Sequence, residues 1–113
     1  MSPELESLDA FTIVLLRRPK DAPELSEKAL DELQERHLAY WDSLYGQGLL
    51  VHGPLTGQPD ESMRGFAIWK LPVADVRNLV ARDPAALAGR LAMEVFTWHT
   101  VPGLLKFEDQ AGR

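Results

Sequence analysis

The chain has 113 residues, 45% of them hydrophobic and 26% charged, a balance that suits one globular domain with its own core and gives no ground for a disordered chain. It contains no cysteine, which removes disulfides, thiolate metal sites, iron–sulfur clusters and cysteine nucleophiles together. A formal net charge of −5 and a pI near 5.1 mean that a phosphate backbone or an anionic membrane surface is repelled on average. One domain over residues 1–113 is therefore expected, with its ordered core from about 11 to 103. Met1 to Ala10 is acidic and lacks the basic start and apolar stretch of a secretion signal. No later apolar run approaches the ~20 residues of a membrane span. The expectation is a cytoplasmic protein with neither a membrane nor a nucleic acid as partner.

Phe11 to Leu16 is an unbroken apolar and β-branched run that stops at Arg17, Arg18 and Pro19, and it predicts a buried first strand. A loop from Lys20 to Leu25 follows, and Ser26 offers an N-cap hydroxyl before Glu27, Lys28 and Ala29. The helix that starts there is expected to run to about Tyr45, where Gly46 and Gly48 provide the left-handed freedom that ends helices. Within it, Leu30, Leu33, His37, Trp41 and Leu44 recur at 3,4,4,3 spacing. At about 100° per residue they share roughly 80° of arc. Leu49 to Gly53 predicts a second strand closed by Pro54, and Gly65 to Leu71 a third, with a long hairpin tip from Thr56 to Met63 between them. Val73, Val76, Leu79 and Val80 keep a helical period up to Asp83-Pro84. There proline forbids continuation, and the aspartate can cap a fresh turn through Ala85 to Leu87. Leu91 to His99 reads as the last strand, ended by Pro102-Gly103. The final residues, Glu108 to Arg113, are expected to fray.

Strand, helix, strand, strand, helix, strand, joined by right-handed crossovers, defines an α+β fold of ferredoxin-like, split β-α-β (βαββαβ) type: a four-stranded antiparallel sheet with its helices on one face. Both parities of the first strand are apolar, Phe11, Ile13 and Leu15 against Thr12, Val14 and Leu16, and the last strand sets Phe96 and Trp98 opposite Val95 and Met93. One helix layer covers one face only, so a second copy of the sheet is expected on the other, making a homodimeric α+β barrel.

His37 stands inside the core-facing stripe of the long helix, where a buried imidazole needs hydrogen-bond partners and can carry a proton near neutral pH. Asp83, before a proline at a helix start, reads on pattern as an N-cap. Glu35-Arg36-His37-Leu38 in the first helix, Gly53-Pro54-Leu55 after the second strand, Gly65 in the third, Asp83-Pro84 and Glu94 through Trp98 together resemble the YciI-like (YCII-related) family of dimeric α+β barrels. Their order and spacing carry the likeness from Phe11 to about Gly103. The resemblance implies a small enzyme of unassigned substrate, with His37 and Asp83 as a dyad in a cleft. A carboxylate bonded to one ring nitrogen fixes the tautomer and leaves the other to move a proton, which suits isomerisation, enolisation or elimination on a small carbonyl compound or lactone with no cofactor and no metal. The plainer readings stand beside this one, a satisfied structural histidine and a simple helix cap.

Other residues admit two readings as well. Glu94, on the face of Phe96 and Trp98, is either a second cleft carboxylate or the partner of an arginine at a dimer seam. Trp41, Trp69 and Trp98 could wall a planar ligand, though large aromatics in a chain this size are more often core or interface. Arg17 and Arg18 could hold a substrate carboxylate, a solvated strand end being the simpler account. His37, His52 and His99 lie on separate elements with no paired spacing for a metal. Arg64 to Leu71 partly matches the octamer of RNA-recognition strands, but Ile68 and Thr12 stand where stacking rings are needed. A ligand-binding or interaction module without catalysis is the alternative to an enzyme. The hairpin tip is a candidate lid over the cleft.

Overall fold

A computed structural model of the protein describes residues 4–107; the expected fraying of Glu108 to Arg113 falls outside them. Strand β1 is Asp9–Arg17, helix α1 Glu27–Ser43, strand β2 Leu49–Pro54, strand β3 Met63–Trp69, helix α2 Val73–Val80, helix α3 Pro84–Leu87 and strand β4 Ala92–Thr100. Single 3₁₀ turns at Leu5–Ser7 and Leu44–Gln47 complete the order. The sheet runs β2-β3-β1-β4 with every neighbour antiparallel, the arrangement of the ferredoxin-like α+β fold. β1 is longer than its apolar run, because Asp9, Ala10 and Arg17 find ladder partners in β4. β3 begins and ends two residues earlier than its composition suggests.

Helix α1 starts as its sequence predicts, with the Ser26 hydroxyl accepting from the Ala29 amide at 3.1 Å. Its last turn tightens into the 3₁₀ turn, and of the two glycines expected to end it only Gly48 has positive φ, at 111°. α1 and α2 lie on one sheet face, and between the layers sit Val14 and Leu16 of β1, Trp41 and Leu44, Leu49, Ala67 and Trp69, and Val76 and Val80. The Tyr40 hydroxyl ties α1 to α2 by donating to the Leu79 carbonyl at 2.6 Å.

The other sheet face carries Ile13, Phe66, Ile68, Phe96 and Trp98 around an apolar hollow of about 250 Å³. Phe96 is 43% and Trp98 37% exposed there. The Phe107 ring lies 5.8 Å from that of Phe11, near the start of β1. At the far end Arg17 binds Glu94 at 2.5 Å and Asp60 at 3.1 Å, with Ser62 holding the Asp60 carboxylate from both its hydroxyl and its amide. Glu94 pairs opposite Leu15, whereas Leu16 and Met93 point into the core. It is therefore an ion-pair partner within its own chain on the open face, and the reading of it as a cleft carboxylate is corrected. No helix among the described residues is long and apolar enough to cross a membrane.

Candidate active site

Residues 46 positions apart in sequence meet at one carboxylate. His37 lies in the third turn of α1, and its Nδ1 is 2.7 Å from Oδ2 of Asp83. Trp41, one helical turn further on the same face, donates its indole N–H to that same oxygen at 2.9 Å. Oδ1 of Asp83 accepts the Ala85 amide at 2.9 Å and so caps α3, with Pro84 in its first turn. Both readings of Asp83 thus describe one side chain: it is the helix cap and the neighbour of His37. Asp83 is fully buried and His37 only 12% exposed. The indole and the amide can only donate, and a carboxylate can only accept. The third contact is satisfied when the imidazole proton sits on Nδ1, leaving the lone pair on Nε2.

His37 faces a cavity of about 320 Å³ that also takes in Gln34 of α1, Arg18 just past β1, His52 of β2 and Arg64 of β3. Two arginines and two histidines line it, and among the described residues no acidic one does. Burial, then the like charges of Arg90 and Arg64, lower the pKa of the Arg18 guanidinium. Its Nε is buried without a hydrogen-bond partner among the described residues. The two arginines at the end of β1 therefore part company: Arg17 is consumed by Glu94 and Asp60, and Arg18 reaches the cavity. The base of the hairpin contributes to the lining, but residues 56–63 do not, so the tip is not seated over the cavity as a lid would be.

Trp41 and Trp69 are wholly buried core, their ring centroids 6.0 Å apart, and Trp98 lies on the open face. None of the three lines the cavity. Among the described residues no group of three or more histidines, cysteines, aspartates or glutamates is placed to hold a metal ion. His52, weighed from the sequence only as a metal ligand, is a residue of the cavity wall. Its Nδ1 is 2.7 Å from the Tyr45 hydroxyl, and its ring stacks on Trp41 at 5.3 Å.

The model of the YCII-related domain matches residues 11–99, and the chain belongs to that family. Its fold is similar to that of 5-chloro-2-hydroxyhydroquinone dehydrochlorinase from Burkholderia phenoliruptrix AC1100, solved in complex with 2,5-dihydroxybenzoquinone. The TM-score is 0.56 and the identity 24%, over 78% of this chain and 92% of that one. A cofactor-independent oxygenase from Streptomyces nogalater aligns at a TM-score of 0.47 and 15% identity, over 87% of this chain and 99% of that one. No curated protein matches the chain.

Proposed function

We propose that the protein is a small acid–base enzyme, with His37 moving a proton on a small organic molecule and Asp83 holding the imidazole in the required tautomer and orientation. The observation that carries this reading is the 2.7 Å contact between a histidine at a cavity wall and a fully buried carboxylate. The cationic lining favours a substrate that is anionic or becomes so along the reaction, with Arg18 available to its oxygen. Isomerisation, enolisation and elimination all fit, since each needs one group that takes a proton and later returns or releases it. The unit is proposed to be a homodimer in which two open sheet faces cover each other. The exposed Phe96 and Trp98 support this.

One observation favours a second reading. Asp83 already serves Trp41 and Ala85, as it would in a non-catalytic module where the dyad merely orients a ligand. A screen of small carbonyl compounds, lactones and hydroxylated quinones, 2,5-dihydroxybenzoquinone among them, followed for both binding and consumption, separates the two. The enzyme reading expects a compound that the wild type consumes, that His37→Ala does not, and that Asp83→Asn consumes roughly 10²-fold or more slowly. Binding that survives both substitutions, with no compound consumed, supports the module.

A further inference from the structure

Neither of the two arginines on the cavity wall is ion-paired among the described residues, although the adjacent Arg17 holds two carboxylates. Backbone bonds fix both where they stand: the Arg18 amide donates to the Ser62 carbonyl at 2.8 Å, and the Arg64 carbonyl accepts the Leu55 amide at 3.0 Å. Arg64 gives one guanidinium nitrogen to the Glu61 carbonyl at 3.3 Å. Arg18 keeps a buried Nε with no hydrogen-bond partner among the described residues. A buried N–H left unbonded costs free energy, more so on a charged group, and a guanidinium stays charged at any ordinary pH. An acceptor from outside the fold removes this cost, and one that carries negative charge also relieves the repulsion of Arg18 by Arg90 and Arg64.

We infer that Arg18, supported by Arg64, anchors a substrate carboxylate, so that the substrate class is a small carboxylic acid; this rests on the cavity beside His37 and Asp83 being the reaction site. Nε and the neighbouring terminal nitrogen of a guanidinium form a planar fork that matches the two oxygens of a carboxylate. The lining disfavours phosphate. Helix α1 lends the cavity Gln34, His37 and Leu38 from its middle turns, so its N-terminal amides, the groups that phosphate sites use, do not open on it. A volume of about 320 Å³ stands at the small end of ligand pockets. An acid of a few carbons held at Arg18 therefore shares its cavity with the His37 imidazole.

Binding tests this without turnover. Acetate, pyruvate, acetoacetate and fumarate are titrated into the protein beside their methyl esters and inorganic phosphate, by calorimetry at one fixed ionic strength. The expected result is that at least one acid binds the wild type roughly 10-fold or more tightly than its ester, and more tightly than phosphate. Arg18→Gln is expected to abolish that preference while leaving the ester's Kd within a few-fold, and Arg18→Lys, which keeps the charge but loses the fork, to retain only part of it. Arg17→Gln removes a neighbouring guanidinium that is already ion-paired and should leave the preference as it is. In proton–nitrogen spectra of the wild type, the arginine Nε–H resonance that is missing from Arg18→Lys should shift with the acid and not with its ester. Equal affinity for acid and ester, a preference that survives Arg18→Gln, phosphate binding more tightly than every acid, or no acid bound at millimolar concentration overturns the inference. His37→Asn is expected to keep the preference for the acid. Undiminished turnover in that variant, with the preference intact, sinks the dyad reading and leaves the anchor standing.

Discussion

Replacing Asp83 with alanine leaves three donors, the His37 Nδ1–H, the Trp41 indole and the Ala85 amide, with no acceptor in a place water does not reach. The expected cost is about 3–5 kcal/mol, read as a lower urea midpoint at unchanged slope. Asparagine keeps one oxygen, so Asp83→Asn is expected to cost about 1–3 kcal/mol and to leave the protein folded. Equal midpoints for alanine and asparagine would contradict the three-donor arrangement. Asp83 could be read from the sequence as a cap because Asp-Pro is a local signal. Its meeting with His37 could not, since it depends on α3 docking against α1, which no spacing encodes. Arg17 and Arg18 were indistinguishable for a related reason: adjacent residues at a strand end leave on opposite sides, and only the positions of Glu94 and Asp60 decide which one is neutralised.

β2 shows at the scale of an element why the place of His52 at the cavity was not legible. Strict alternation from Leu49 puts Leu49, Val51 and Gly53 on the core side and turns His52 outward. The strand instead shifts register between Leu49 and Val51, so that Leu49 pairs with Trp69 and His52 with Ala67, both on the helix-covered face. One irregular residue reverses the parity that pattern reading relies on, whereas the regular α1 stripe and the apolar run of β1 were legible throughout. The turn leading into β2 offers a check. Gly48 has φ 111°, and a Cβ there would lie 2.6 Å from Cγ of Leu71. Gly48→Ala is expected to cost about 2 kcal/mol or more by urea unfolding, and a change within about 0.5 kcal/mol would contradict that geometry. The β2–β3 hairpin tip responds to pH. The Ser62 hydroxyl and amide, and then Arg17, hold the Asp60 carboxyl below its usual value of 3.8. A depressed folded pKa means the contribution is whole above 3.8 and is lost as pH falls through the folded value. Between about pH 6 and about pH 3 the wild type is therefore expected to lose more stability than Asp60→Asn, which has no such proton to take up. Equal losses would contradict the assignment.

The ferredoxin-like order of the whole molecule followed from element type alone, and the doubled apolar parity of β1 and β4 anticipated the open face seen around Ile13, Phe66, Ile68, Phe96 and Trp98. What covers that face is a question of association. Light scattering at micromolar concentration is expected to give twice the chain mass for the wild type and the chain mass for Phe96→Glu, with far-UV circular dichroism unchanged. A monomeric wild type would contradict the barrel. The dyad lies on the helix-covered side of the sheet and Phe96 does not line the cavity, so the variant monomer should keep its ligand within a few-fold. The central claim, that His37 transfers a proton, is tested most directly by the kcat of His37→Asn on a compound the wild type consumes, with Kd measured on the same samples. A fall of roughly 10²-fold or more in kcat, with Kd within a few-fold, is the predicted result; undiminished kcat would contradict it.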